Sequence, residues 1–191
     1  MGPIHGIAIH HSVTTGNAAW GEAEELGHIQ TIDRYHVQIE YGGFGYHLAA
    51  FPSGRSYLCG DLAGQRAHVA SRNHELIGIV AIGNFVGGLP APPQMNAIMD
   101  CITYTRQVVG VHPVKGHNEW ALPGQGTACA GALNGYQWGT PIPPVPPTVD
   151  LPRLAHSVPF LYAAAYKNDR TLLHPTDAGE IQKALDWHKA G

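Results

Sequence analysis

Ile7-Ala-Ile-His-His-Ser-Val13 is the stretch whose reading decides the fold. It is short, apolar and β-branched, and it is bounded by Gly6 and the polar run Thr14-Thr-Gly-Asn17. Such a run reads as a buried strand. Side chains alternate across a strand, so His11 shares a side with Ile7 and Ile9, and His10 shares the other with Ala8 and Ser12. His10 is therefore expected on the less crowded, more polar side, which suits a ligand.

Working outward, apolar residues and one histidine recur at Leu26, Ile29, Ile32, His36 and Ile39, close to helical spacing. Glu22, Glu24 and Glu25 crowd the first turn, as the helix dipole favours. The pattern predicts a helix from Glu22 to about Ile39, stopped by Gly42-Gly43. A hairpin is expected next, from Phe44 to Phe51, through Pro52-Ser-Gly54, and back along Arg55 to Cys59. Leu76 to Phe85 is an apolar, β-branched run that reads as a central strand. Gln94 to Val109 carries one apolar stripe (Met95, Ile98, Met99, Ile102, Val109) and ends at Gly110, a second helix. Val111 to Gly135 reads as mostly irregular. The order strand, helix, hairpin, strand, helix predicts an α/β domain with a central mixed β-sheet flanked by helices.

Thr140-Pro-Ile-Pro-Pro-Val-Pro-Pro147 holds five prolines in eight residues. It can neither pair in a sheet nor continue a helix, so it reads as an extended spacer. The expected organisation is a catalytic domain over 1–139, a Pro-rich linker over 140–149, and a small helical segment over 150–191 that targets or docks. Charged residues are only 13% of the 191, and the net charge is −3, which argues against a phosphate-binding surface and so against nucleic acid. No apolar run approaches the roughly 20 residues that span a bilayer. The start, Met1-Gly-Pro-Ile-His-Gly6, has no basic, signal-like segment, so synthesis in the cytoplasm without a signal peptide is expected. Three cysteines are too few for a disulfide scaffold; Cys59 and Cys101 are expected as unpaired thiols.

The chain has 13 histidines. His10 at a strand end, His117 in Gly116-His-Asn-Glu-Trp120, and Cys129 in Thr127-Ala-Cys-Ala-Gly131 offer two imidazoles and a thiolate from separate segments. That is a three-ligand zinc set with the fourth tetrahedral position open. Spacing alone leaves other readings standing: His10 as a core histidine, His117 as a loop residue, Cys129 as a small buried hydrophobe.

The runs IAIHHSVT, GFGYHLAAFPSG, IGIVAIGNF, GHNEW and TACAG, in this order, resemble the zinc-dependent N-acetylmuramoyl-L-alanine amidases of type 2, which include phage endolysins and peptidoglycan recognition proteins. The resemblance covers about residues 4 to 135. It implies zinc held by His10, His117 and Cys129. It makes Tyr46 the active-site tyrosine and puts Thr127 at a position occupied by Lys in some phage amidases and Thr in recognition-type amidases. The family commonly has proline after the cysteine, where this chain has Ala130. His68, Asn84 and Trp120 are candidate substrate contacts, with Trp20 a weaker one. Glu119 could accept a hydrogen bond from a ligand or act as a base. His11 and His47 read as structural.

The implied reaction is hydrolysis of the amide between N-acetylmuramic acid and the L-alanine of peptidoglycan. The expected protein is a monomeric, bacteriolytic endolysin that reaches the wall after membrane permeabilisation. The alternatives are a cytoplasmic amidase that recycles muropeptides, and a module that binds peptidoglycan without cutting it.

Overall fold

Strand β1 (Gly6–His11) and strand β4 (Leu76–Ala81) are buried along their whole length. That is the condition expected of parallel strands covered on both faces. They lie side by side at the centre of a five-stranded sheet of order β3-β2-β4-β1-β5. The other strands are β2 (Leu48–Ala50), β3 (Ser56–Leu58) and β5 (Val114–Gly116). β2, β4, β1 and β5 run parallel to their neighbours, and β3 pairs antiparallel with β2, so the sheet is mixed. The computed structural model describes residues 2–139. The expected linker (140–149) and helical segment (150–191) lie outside the described residues.

Helix α1 (Glu22–Gln38) covers one face and helix α2 (Pro92–Val109) the other. Alternation along the strands sorts the core into two layers. Ile7, Ile9, Leu48, Ile77 and Ile79 meet Ile98, Cys101 and Ile102 of α2. Ala49, Val80 and Ile82 meet Ile29 and Ile32 of α1, together with Phe44, Phe51 and Tyr57. Helix α3 (His117–Trp120) follows β5 directly, and a single 3-10 turn covers Gly131–Leu133.

The stretch from Val111 to Gly135 is mostly irregular, as expected, with β5 pairing β1 inside it. Helix α1 ends at Gln38, beside the expected end near Ile39, which is exposed. One expectation needs correction. Glu25 is not simply a first-turn dipole residue: it is fully buried, and its carboxylate accepts from Ser53, from Tyr57 and from Arg55 Nε at 2.6 Å.

His47 is fully buried just before β2. Its Nδ1 accepts the Gly78 N–H at 2.9 Å, and its Nε2 donates to the Gly64 carbonyl at 2.8 Å. Burial, the main cause, pushes its pKa down to about 3. Above about pH 6.5 neither the folded nor the unfolded chain binds a proton there. Below it the unfolded chain takes up a proton that the folded chain refuses. Stability from this group therefore falls as pH drops from about 6.5 toward 3, by roughly 1.4 kcal/mol per pH unit. Urea unfolding at pH 7 and pH 5 should show a pH dependence about 2 kcal/mol smaller in His47→Gln than in the parent protein. Equal dependence in the two would remove His47 from the account of acid sensitivity.

Candidate metal centre

Two adjacent parallel strands bring the first two candidate ligands together. Ile9 of β1 pairs with Gly116 of β5, so His10, still within β1, and His117, the first residue of α3, follow directly from paired positions. Their ring centroids are 4.6 Å apart. Both stand at carboxyl ends of parallel strands, where open α/β sheets hold ligands.

Cys129 arrives from the loop after α3. Its carbonyl accepts the Asn118 N–H at 3.0 Å, and Thr127 N–H donates to Asn118 Oδ1 at 2.9 Å. Gly131, at φ +64°, lets this loop turn under Phe85; a Cβ there would lie 2.3 Å from the Phe85 carbonyl oxygen. The Cys129 sulfur takes the His11 N–H at 3.4 Å and lies 3.6 Å from His10 Nδ1. Ligand atoms of His10, His117 and Cys129 all fall within 4.8 Å of one another. A tetrahedral zinc ion, with Zn–S near 2.3 Å and Zn–N near 2.0 Å, needs sulfur and nitrogen ligands about 3.6 Å apart. The donor types and the His10–Cys129 separation therefore fit zinc. No fourth His, Cys, Asp or Glu joins the group among the described residues.

Burial sets the protonation of the cluster. It is the largest cause lowering His10 well below the ordinary histidine value, with His68 and His117 adding to it, and it lowers His117 as well. Both imidazoles are thus neutral at pH 7, as metal ligation requires. Burial pushes the Cys129 thiol up to about 11, against the opposing His11 N–H bond. A bound cation is what removes its proton.

Tyr46 sits beside the cluster, its ring 5.1 Å from that of His10. α1 fixes its segment: Asp33 Oδ1 accepts the Phe44 N–H at 2.6 Å, and His36 Nδ1 accepts the Gly45 N–H at 2.9 Å. His36, which the sequence shows only as part of an apolar stripe, is thus a support for Tyr46. Burial, and then Cys129 and Tyr41, raise the phenol above its ordinary value, so at neutral pH it is a hydrogen-bond donor. Thr127 is half-buried, and its hydroxyl accepts the Cys129 N–H at 3.2 Å.

Some of the remaining residues are placed differently from expectation and some as expected. His10 points to a side as buried as the other, not to a less crowded one. His68 is buried beneath His10 with both ring nitrogens engaged, to His10 and to the Leu76 carbonyl. That leaves it nothing to offer a substrate. Trp120 is a core residue: its Nε1 donates to the Ile7 carbonyl at 3.0 Å, and Arg72 and Lys115 lie over its ring. Asn84 is exposed after β4, its side-chain oxygen accepting the Val86 N–H at 3.2 Å. Glu119 accepts from the Gly116 and Gly135 N–H groups and braces the start of α3. Trp20 packs on His28. His11 Nδ1 accepts the Phe85 N–H at 3.1 Å, a structural bond. Cys59 and Cys101 are buried unpaired thiols.

A mixed sheet with an imidazole–imidazole–thiol cluster at its carboxyl edge defines an α/β domain with a candidate three-residue metal site. Residues 1–132 match the N-acetylmuramoyl-L-alanine amidase family, Amidase_2, and the chain belongs to that family. A peptidoglycan-recognition protein of Drosophila melanogaster is 28% identical over 134 residues, 69% of this chain and 70% of that protein. Among solved structures, the amidase LysC of Clostridium intestinale aligns with a TM-score of 0.56 at 24% identity, covering 69% of this chain and 78% of LysC. PGRP-SA of Apis mellifera aligns with a TM-score of 0.58 at 23% identity, covering 70% and 80%. These two share the fold. No helix among the described residues is long and apolar enough to cross a membrane.

Proposed function

We propose that this chain is a zinc-dependent N-acetylmuramoyl-L-alanine amidase that cleaves the bond between N-acetylmuramic acid and the L-alanine of the stem peptide. The observation that carries the reading is the convergence of His10, His117 and Cys129, which no fourth His, Cys, Asp or Glu joins among the described residues. His10 and His117 would hold the ion as neutral imidazoles and Cys129 as a thiolate, leaving the centre with net charge +1. When bound, zinc supplies Lewis acidity toward the scissile carbonyl and an acidified water. Tyr46 donates a hydrogen bond to the carbonyl oxygen as negative charge gathers on it. Thr127 accepts from the Cys129 N–H, so its own hydroxyl hydrogen is left to donate to the same oxygen or to substrate. Glu119 is committed to two backbone N–H groups and takes no proton-transfer role.

Resemblance to phage amidases supports a lytic role on bacterial walls over the recycling of soluble fragments. The recognition-protein relative keeps the second reading in view, in which the same groove binds peptidoglycan without cutting. Cys129 favours hydrolysis, because a bare binding groove needs no thiolate. Metal analysis paired with mass spectrometry of digested peptidoglycan decides the matter. One zinc per chain with newly exposed L-alanine amines is the expected result; a zinc-loaded protein that binds muropeptide and frees no amine overturns it. Turbidity loss of permeabilised cells, against cleavage of soluble fragments only, separates lysis from recycling.

Tyr46→Phe should retain zinc and slow turnover by roughly 10²-fold or more, the scale of one oxyanion donor. Unchanged turnover in steady-state assays would reduce Tyr46 to a packing residue.

A further inference from the structure

Behind His10 lies an internal row of imidazoles that the proposed chemistry does not use. His10 Nε2 and His68 Nδ1 are 3.1 Å apart, and His68 Nε2 is 3.1 Å from the Leu76 carbonyl oxygen. The rings of His10 and His68 meet edge to face, at 88° with centroids 5.1 Å apart. His47 closes the row, its ring at 83° to that of His68 and 5.6 Å away.

The sheet is cut away to admit this row. A Cβ added at Gly78 would lie 2.8 Å from His68 Cγ and 2.9 Å from its Nδ1, so only glycine at the middle of β4 leaves room for the ring. The Gly78 N–H donates to His47 and is not lost to the core. Asn73 Oδ1 accepts the N–H groups of His68 and Val69 at 2.8 and 2.7 Å, which fixes the loop that carries the ring.

Donor and acceptor chemistry then runs in one direction. A carbonyl oxygen only accepts, so the hydrogen of neutral His68 is on Nε2, and its Nδ1 is a bare acceptor. His10 must donate to it, which places the His10 hydrogen on Nε2 and leaves Nδ1 as a lone pair. That lone pair is the one 3.6 Å from Cys129 Sγ.

We propose that His68 is a positioning residue for the metal site: by accepting from His10 Nε2, it fixes the tautomer and ring orientation that present His10 Nδ1 to the ion. The proposal rests on the zinc reading of the cluster and not on hydrolysis. Partners of this kind orient ligating histidines and raise their basicity, and losing one typically costs 10- to 100-fold in metal affinity.

The test has two arms. In the metal-free protein with ¹⁵N-labelled histidine, imidazole nitrogen shifts should show hydrogen on Nε2 of both His10 and His68, with bare Nδ1 atoms. Hydrogen on His10 Nδ1 would overturn the proposal without any variant being made. In the second arm, zinc is titrated into parent, His68→Leu and His68→Gln proteins. Leucine keeps bulk and removes the acceptor, and affinity should fall roughly 10- to 100-fold. Glutamine restores an acceptor oxygen and should recover most of the loss. Parental affinity in folded His68→Leu, or no recovery in folded His68→Gln, would overturn the assignment. A parent that binds zinc and follows this pattern but cleaves no peptidoglycan would sink the amidase reading alone. A parent that binds no zinc would sink both.

Discussion

Cys129→Ser is expected to strip the protein of zinc and to bring amide hydrolysis to background. Cys129 is the only candidate ligand that carries charge when bound, and its sulfur sits 3.6 Å from His10 Nδ1 at the spacing a tetrahedral ion requires. A serine hydroxyl is a shorter, harder ligand with a far higher pKa, so it stays neutral and offers the ion no compensating anion. The affinity loss should exceed the 10- to 100-fold typical of removing an outer partner. The fold should survive, because the loop is held by backbone bonds that serine keeps: the residue 129 carbonyl to Asn118 and the residue 129 N–H to the Thr127 hydroxyl. The check is zinc per chain after dialysis, read beside circular dichroism. Full zinc retention in folded Cys129→Ser would remove the thiolate from the site.

Glu25→Ala should be the most damaging single change away from the cluster. Its carboxylate is fully buried and binds three partners from the hairpin: Ser53, Arg55 and Tyr57. Arg55 also donates to the Trp20 carbonyl, so one ion pair ties the start of α1 to β3. Removing the acid leaves the Tyr57 hydroxyl and the partly buried Arg55 guanidinium without their acceptor. Breaking a buried pair from one side costs about 3 kcal/mol or more, which for a domain of this size lowers the melting temperature by roughly 10 °C. Glu22→Ala, an exposed acid in the same turn, should cost only a few tenths of that. Calorimetry on the two variants checks the contrast; equal melting temperatures would show that the buried network contributes little.

Glu25 also shows where reading the sequence stops. The strands β1 and β4 and the helices α1 and α2 are legible because each is long enough for its own period to declare it, and the mixed sheet follows from their order. β5 is not legible. Three residues, Val-Lys-Gly after a proline, carry no usable period, and only pairing with β1 makes them a strand. Glu25 reads as a helix-dipole residue because its partner Arg55 lies 30 positions away. Trp120 reads as available to sugar, yet it fills the space above Gly6, where a Cβ would lie 2.3 Å from its ring. That is a property of two distant residues together. His68 reads as a groove residue because nothing in its own neighbourhood of sequence shows what lies under His10. One local sign does point there: a glycine inside the otherwise bulky run Leu76-Ile-Gly-Ile-Val-Ala81 marks a close approach.

The pairing of β1 with β5 sets a timetable for a growing chain. β1 must wait for an edge strand near the end of the described domain, and His10 must wait across 119 positions for Cys129. Contacts of such separation close late, after the intervening loops have met their entropy cost. A nascent polypeptide thus cannot assemble the His10–His117–Cys129 cluster until synthesis has passed the cysteine, however well its first half folds.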